Sequence, residues 1–375
     1  MSALFEPAVV GPMTLQNRVV MAPLTRNRAS GNLPNDLMKR YYGQRATVGL
    51  VISEGTSPSP NGLGYPRIPG VFAPAQVALW KPVSAAVHAQ GAKMFLQIMH
   101  CGRIAHGSNL PPGARVLGPS AVAASGDIFT DGAGLQPMAK PQAMSEADIT
   151  NVIAEYVQAA HNAVAAGFDG IELHAANGYL LEQYIRPNSN VRTDRYGGPI
   201  ANRARFVLEV VEAVIHAIGR DRVGMRLSPF GVFNDMPLYA EMDADYRYLA
   251  QQLDTRGLLY LHLVDHSAMG APPVPASIKA AFRSLFTGAL ILSGGYDKVR
   301  AEADLAAGRC DLVAIGRPML ANPDLLRRWK TGAGLNLPDM STFYTPGAKG
   351  YTDYPTLEPA PSASAAGAQM AGSAA

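Results

Sequence analysis

The amino-acid sequence predicts an α/β protein, a (β/α)8 TIM barrel. Eight short apolar segments occur along the chain, each four to eight residues long and each ending in polar or glycine residues, as buried strands do. Stretches with helical periodicity lie between most of them. Strands that alternate with helices form parallel sheets, and eight such units close into a barrel. A doubly wound sheet with extra strands is the structural alternative.

The apolar patterns place the individual elements. The predicted strands are residues 18–24, 50–55, 93–99, 170–175, 223–229, 258–264, 289–295 and 311–317. Ser145 and Asp148 resemble a capping box, and Gly167 is well placed to end the helix that follows. The predicted helices are 35–47, 75–90, 146–166, 200–218, 243–256, 275–286, 297–307 and 322–331.

Three segments lie outside the repeat of strands and helices. We predict an N-terminal hairpin that caps the barrel before the first strand. Residues 101–144, after the third strand, are rich in Gly, Pro and Ala, and we expect an excursion over the barrel mouth that contains a short hairpin. Residues 1–355 are predicted to form one barrel domain, and 356–375 a disordered low-complexity tail.

Composition narrows the classes of function. The 375 residues carry a net charge of +3, too balanced to indicate nucleic acid or an anionic membrane as a partner. No apolar run approaches the ~18 residues that span a bilayer, and the N-terminus lacks the features of a signal peptide. The two cysteines, Cys101 and Cys310, exclude a disulfide framework and a structural zinc site. We expect a cytoplasmic protein without a metal, either a monomer or a weak homo-oligomer.

In a barrel of this kind the active site lies at the carboxyl ends of the strands. Strand four ends in the segment GIELHAANGYLLEQY, in which Glu172 and His174 share one strand face and Ile171 and Leu173 the other. Asn177 follows in the next turn. The other residues at or just after strand ends are Pro23, Leu24, Thr25, Gly55, Gln97, Tyr179, Arg226, Gly294, Gly295, Gly316 and Arg317.

Single residues of this set also have ordinary structural interpretations. His174 could be a hydrogen-bonded core histidine, and Arg226 could be an ion-pair partner of Glu172. Gly294 and Gly295 could form a plain turn. The functional interpretation is favoured because all of these groups fall at the same rim of one predicted barrel, and the last two loops of such barrels commonly bind phosphate.

The sequence resembles the Old Yellow Enzyme family of FMN-dependent ene-reductases from about residue 3 to 355. The matching segments are NRVVMAPLTRNRA, YYGQRATVGLVISEGT, HAANGYLLEQYIRPNSNVRTDRYGG, NRARFVLEVV, GRPMLANPDL and GYTDYP. The PLTR form is similar to that of the classical branch, which has threonine where another branch has cysteine.

The resemblance implies a mechanism. His174 and Asn177 would donate hydrogen bonds to the carbonyl or nitro oxygen of an activated alkene, and Tyr179 would protonate the α-carbon. Tightly but non-covalently bound FMN would provide the hydride after its reduction by NAD(P)H. An alternative is a nitroester, nitroaromatic or quinone reductase with the same site, and a remote one is a non-catalytic redox sensor.

The resemblance also assigns the cofactor and substrate contacts. Thr25 would donate to the flavin O4, Gln97 would contact the pyrimidine edge, and Arg226 would stabilise negative charge at N1. Pro23, Leu24 and Gly55 would line the flavin, and Gly294, Gly295, Gly316 and Arg317 would hold its phosphate. The substrate pocket would include Tyr65, Met99, Phe230, Asn234 and Tyr351. Many relatives have Trp at the position of Met99, so we hypothesise a wider pocket there.

Overall fold

Eight parallel strands close into a barrel in the computed structural model, which describes residues 2–357. The strands in chain order are β1 (Ala8–Val10), β2 (Met13–Leu15), β3 (Val19–Met21), β4 (Leu50–Ile52), β5 (Lys93–Ile98), β6 (Leu117–Gly118), β7 (Asp127–Thr130), β8 (Gly134–Pro137), β9 (Gln142–Ala143), β10 (Gly170–Ala175), β11 (Val223–Leu227), β12 (Tyr260–Val264), β13 (Ala289–Ser293) and β14 (Leu312–Ile315).

The barrel runs through β3, β4, β5, β10, β11, β12, β13 and β14, and β14 pairs with β3 to close it. The predicted (β/α)8 fold is therefore confirmed, and every predicted strand contains one of these eight. A doubly wound sheet is excluded because such a sheet has open edges.

Helices connect the barrel strands. They are α1 (Asp36–Arg45), α2 (Pro74–His88), α3 (Glu146–Ala165), α4 (Leu180–Ile185), α5 (Ile200–Arg203), α6 (Arg205–Ile218), α7 (Met242–Thr255), α8 (Ala276–Leu285), α9 (Lys298–Ala306), α10 (Arg317–Ala321) and α11 (Leu325–Thr331). The predicted helix 200–218 is divided into α5 and α6, and the short helices α4 and α10 were not predicted. Within residues 2–357 no helix is long and apolar enough to cross a membrane.

Strand alternation separates the two faces of the barrel wall. Ile171 and Leu173 of β10 belong to the large buried cluster that includes residues of the surrounding helices, whereas Glu172 bonds Gln97 inside the barrel and His174 lines the cavity at its mouth. Outward residues therefore supply the apolar contact with the helices, as predicted from the two-residue period. The inward face is left to carry polar groups near the carboxyl ends of the strands.

The opposite end of the barrel interior is apolar. The rings of Phe95 and Tyr260 lie 5.6 Å apart inside it, and a Cβ atom at Gly170 or Gly224 would lie within 2.5 Å of one of these rings. The predicted N-terminal hairpin is confirmed as β1 and β2, which pair antiparallel. Its buried residues join the same apolar cluster as Phe95 and Tyr260, so it closes this end against water.

The predicted excursion after β5 is also confirmed. It contains the antiparallel hairpin β7–β8 and the short parallel pair β6–β9. Ile128 and Phe129 of β7 line the cavity at the barrel mouth, so the hairpin forms part of its wall. Of the predicted tail, residues 358–375 lie outside the described residues, and the boundary at residue 355 stays a prediction.

Candidate active site

A cavity of about 1160 Å³ opens at the carboxyl ends of the barrel strands. It brings together residues from loops that lie far apart in the sequence. The predicted site residues that line it are Pro23, Leu24, Thr25, Tyr65, Gln97, His174, Asn177, Tyr179, Arg226, Asn234, Gly294, Gly295, Gly316 and Arg317.

Strand register shows which polar groups face the barrel interior. His174 of β10 pairs with Arg226 of β11, and Arg226 pairs in turn with His262 of β12. Because neighbouring parallel strands present paired residues on the same face, all three side chains face inward. One further basic side chain, His266, lines the cavity just after β12.

His174 is held as a neutral hydrogen-bond donor. The backbone N–H of Ala176 donates to Nδ1 at 3.3 Å, so the proton of the uncharged ring is on Nε2. Burial holds the pKa of His174 well below its ordinary value of 6.5, and the nearby Arg226, His262 and His266 lower it further. At neutral pH the imidazole therefore offers an N–H group without carrying a charge.

The turn after β10 carries the other two predicted catalytic side chains. Asn177 and Gly178 have left-handed φ angles of 59° and 77°, and the N–H of Tyr179 donates to the carbonyl of Ala176 at 3.3 Å. This is the pattern of a type I′ turn, for which Asn-Gly is a favoured pair. A Cβ atom at Gly178 would lie 2.7 Å from Cβ of Asn234, so glycine is required here.

The side chains of this turn keep their polar groups available to a ligand. Oδ1 of Asn177 is buried and has no hydrogen-bond partner within residues 2–357. The hydroxyls of Tyr179 and Tyr65 lie 3.2 Å apart, and the Tyr179 and His174 rings meet edge to face at 4.8 Å. Burial raises the pKa of Tyr179 well above its ordinary value of 10, with further contributions from Tyr65 and Cys101. Tyr179 is thus a protonated phenol next to a neutral imidazole.

A buried polar layer lies inside the barrel close to these groups. The carboxylate of Glu172 accepts a hydrogen bond from Nε2 of Gln97 at 2.7 Å and lies 2.9 Å from Nδ1 of His262. Nε2 of His262 lies 2.9 Å from Oγ of Ser293. No ion pair between Glu172 and Arg226 occurs among the described residues, and Nε of Arg226 is buried there without a hydrogen-bond partner. The ion-pair interpretation of Arg226 is therefore not supported.

The cavity fits the FMN that the resemblance implies. A buried guanidinium with an unpaired N–H is costly unless an acceptor contacts it, and Arg226 presents such a group. The glycines of the loops after β13 and β14 line the same cavity as Arg317, and backbone N–H groups with a guanidinium suit a phosphate. The volume exceeds the about 1,000 Å³ upper range of ordinary small-molecule pockets, which leaves room for a second molecule beside a flavin.

Two predicted contacts, Gly55 and Met99, do not line the cavity. Met99 is 1% exposed and belongs to the same buried apolar cluster as Tyr179. A Cβ atom at Gly55 would lie 2.5 Å from Sδ of Met99, so the thioether fills the space that the glycine leaves. The side chain of Met99 packs behind the cavity wall, and its effect on the width of the substrate pocket stays a prediction.

The predicted wall residues Phe230 and Tyr351 do not line the cavity either. Phe230 packs against the main core instead, and Phe233, three residues later, lines the cavity with its ring 4.5 Å from that of His266. Tyr351 is fully buried and stacks on Tyr41 at 4.0 Å. Its stacking and burial hold it away from the ligand space.

A Met99→Trp variant is expected to be less stable by about 1–3 kcal/mol, because an indole cannot enter a filled core without strain. Chemical denaturation with matched m-values measures this loss. Met99→Leu, which keeps the volume, is the control and should change stability by less than about 1.5 kcal/mol. A Met99→Trp protein of wild-type stability that inverted the product enantiomer would support a role of Met99 in the substrate pocket.

The structure adds functional candidates that sequence reasoning missed. His262 and His266 were absent from the predicted site, as were Phe233 and Ser228. A signal existed for His262, since it follows Tyr260 by two residues in LLYLHLV and so faces the barrel interior. The loop positions of His266 and Phe233 carry no periodicity, so no comparable signal was available for them.

Comparisons with known proteins agree with this geometry. The model of the NADH:flavin oxidoreductase / NADH oxidase family matches residues 3–336. The chain is 43% identical to 12-oxophytodienoate reductase 1 of Oryza sativa subsp. japonica, covering 95% of this chain and 93% of the relative. It is 41% identical to a probable flavin mononucleotide-dependent alkene reductase of Leishmania infantum, covering 94% and 97%. A solved structure of morphinone reductase superposes with a TM-score of 0.91 at 46% identity, covering 95% and 96%.

These matches confirm the resemblance on which the site was predicted, the FMN cofactor with its nicotinamide co-substrate, and the class of enzyme. Identity above 40% extends over nearly the whole chain. The chain belongs to the NADH:flavin oxidoreductase / NADH oxidase family and, within it, to the Old Yellow Enzymes.

Proposed function

We propose that this enzyme reduces the carbon–carbon double bond of α,β-unsaturated carbonyl compounds and nitroalkenes, with His174, Asn177 and Tyr179 as its catalytic residues. The observation that carries the proposal is that a neutral imidazole, an uncommitted amide and a protonated phenol line one cavity together with the loops that would hold a flavin. Two donors and one acid are what polarisation and protonation of such an alkene require.

FMN would be held along the strand ends. Arg226 would place its unpaired Nε at the pyrimidine side of the ring, where Gln97 also lies, and Thr25, Pro23 and Leu24 would contact the ring from the loop after β3. The glycines at 294, 295 and 316, with Arg317, would bind the phosphate. When bound, FMN supplies the hydride for the β-carbon of the alkene.

His174 and Asn177 would bind the carbonyl or nitro oxygen. Nε2–H of His174 and the amide of Asn177 are the donors, and negative charge that develops on that oxygen strengthens both hydrogen bonds. A neutral imidazole remains a donor without adding a buried charge. The two donors also fix the position of the substrate, so that the α-carbon lies near the phenol.

Tyr179 would deliver a proton from its hydroxyl to the α-carbon. The raised pKa keeps the phenol protonated at neutral pH, and the Tyr65 hydroxyl 3.2 Å away stays in contact with its oxygen. Tyr65 thereby offers a hydrogen bond to the phenolate that remains after transfer. Solvent can then restore the proton before the next turnover.

The nicotinamide and the alkene would occupy this one cavity in turn, which predicts ping-pong kinetics. We propose that either NADH or NADPH serves, that the enzyme acts in the cytoplasm, and that it is a monomer or a weak homo-oligomer. The small net charge of +3 and the two buried free cysteines support the cytoplasmic assignment. Nitroester, nitroaromatic or quinone reduction at the same site is less favoured, because it makes no use of Tyr179 as an acid.

The test is anaerobic mixing of the FMN-loaded protein with NADPH or NADH. Absorbance of the oxidised flavin is expected to bleach and to return when cyclohexenone is added, with cyclohexanone as the product. Bleaching that only a quinone or nitroaromatic reverses would instead support the alternative reductase. Bound FMN that neither nicotinamide reduces would support the non-catalytic sensor.

A further inference from the structure

The catalytic turn is held from outside by a buried hydrogen-bond network. The N–H of Asn177 donates to Oγ of Ser228 at 2.8 Å, and the N–H of Gly178 donates to Oε2 of Glu182 at 2.7 Å. Both acceptors are fully buried, and neither lines the cavity. Ser228 and Glu182 can therefore affect a bound ligand only through the position of the turn.

The hydroxyl of Ser228 has a defined orientation. It lies 3.1 and 3.0 Å from the two carboxylate oxygens of Glu182, so its single proton points to the carboxylate. A lone pair is then left to accept from the N–H of Asn177. These hydrogen bonds connect Glu182 through Ser228 to the backbone of Asn177, whose side-chain amide would bind the substrate oxygen.

The carboxylate of Glu182 is itself fixed by the surrounding scaffold. Its Oε1 accepts from Nη2 of Arg186 at 3.0 Å and from the hydroxyl of Tyr246 at 2.7 Å. Arg186 follows α4, Tyr246 lies on α7 and Ser228 follows β11. One buried carboxylate thus joins three elements of the barrel to the turn that carries Asn177 and Tyr179.

The turn needs such support. Left-handed φ at a residue other than glycine costs free energy and persists where the surroundings impose it, and Asn177 has φ of 59°. A third contact comes from Nδ2 of Asn234, which donates to the carbonyl of Asn177 at 2.6 Å. Both backbone polar groups of Asn177 are therefore held by side chains from the segment after β11.

We propose that Ser228 and Glu182 are positioning residues that hold Asn177 and Tyr179 at the correct distance from the substrate oxygen and α-carbon. The inference rests on the proposed function. Because the near-attack geometry tolerates little displacement, a shift of about 1 Å in such a turn costs up to about 100-fold in rate. Ser228 is the better position to test, since replacing Glu182 would leave the guanidinium of Arg186 buried without its partner.

The experiment compares Ser228→Ala with Ser84→Ala, both as FMN-loaded proteins. Ser84 is a matched control, because its buried hydroxyl donates to the carbonyl of Ala166 at 2.7 Å outside the cavity. Reoxidation of the reduced enzyme by cyclohexenone is followed anaerobically, together with the flavin midpoint potential and the thermal unfolding temperature. Ser228→Ala is expected to slow reoxidation by about 10- to 100-fold with an unchanged potential, and Ser84→Ala to keep the wild-type rate.

Reoxidation of Ser228→Ala within about twofold of the wild type would overturn the proposal, and so would an equal loss in Ser84→Ala. Affinity for the phenolate of 4-hydroxybenzaldehyde, titrated through the flavin absorbance, separates this inference from the proposed function. If the wild type failed to reduce any enone, a tenfold weaker phenolate binding in Ser228→Ala would still support positioning of Asn177. Unchanged phenolate affinity would count against it.

Discussion

A Tyr179→Phe variant is expected to reduce cyclohexenone about 10²- to 10⁴-fold more slowly than the wild type, which is the usual effect of losing a general acid. Phenylalanine keeps the edge-to-face contact with the His174 ring and removes only the hydroxyl. Reduction of the flavin by NADPH needs no proton from this residue, so its rate should stay within a few-fold of the wild-type rate. Stopped-flow measurement of the two half-reactions separates these effects.

The pH dependence of the same step provides a second readout. The pKa of His174 lies well below 6.5 and that of Tyr179 well above 10, so neither group changes its protonation state between these values. Reoxidation of the reduced wild type by cyclohexenone is expected to be constant over that range. An inflection near pH 10 that disappears in Tyr179→Phe would contradict the conclusion that burial raises the pKa of this phenol well above 10. Tyr248→Phe on α7 is the matched control and should behave as wild type.

A His174→Ala variant is expected to lose about 10²- to 10³-fold in the rate of alkene reduction, the cost of removing one donor to a developing oxyanion. The affinity for cyclohexenone should fall as well, because the imidazole N–H also contacts the bound substrate. The measurement is kcat and KM with a saturating nicotinamide, accompanied by the flavin content of the purified protein.

The exposed His161 of α3 supplies the control for this substitution. His161→Ala removes an imidazole of the same size from the protein surface and is expected to leave kcat and KM unchanged. Wild-type alkene reduction by His174→Ala would mean that another group donates the hydrogen bond to the carbonyl, and His266, which also lines the cavity, is a candidate. Loss of bound FMN in parallel with activity would assign His174 to the cofactor.

Much of the fold could be predicted because it depends on local patterns. Each barrel strand is a short apolar run, and the capping box at Ser145 and Asp148 opens α3 where predicted. The prediction of a single helix over 200–218 was wrong in one respect, because the segment is divided into α5 and α6 at Ala204. There the guanidinium of Arg203 bonds the carboxylate of Asp245 on α7, a contact between distant residues that no local period reports.

The candidate site was predictable to a different extent. His174, Asn177 and Tyr179 were found because strand four ends beside a turn of recognisable chemistry. For Met99, sequence gives its position at the end of a predicted strand but not the space around its side chain. Only the close approach of its sulfur to Gly55 shows that it packs behind the wall.

The sequence by itself determined the barrel, its cofactor class and the residue types of the catalytic turn, because these follow from two-residue alternation, strand ends and matching motifs. Tertiary structure alone decided which side chains face the cavity and which electrostatic state they adopt. Burial beside Arg226 keeps His174 neutral. The turn is fixed by Ser228, which accepts from a backbone N–H 51 residues away, and by Glu182, which accepts from one four residues away. Desolvation and hydrogen bonding between distant segments arise only when the chain is folded.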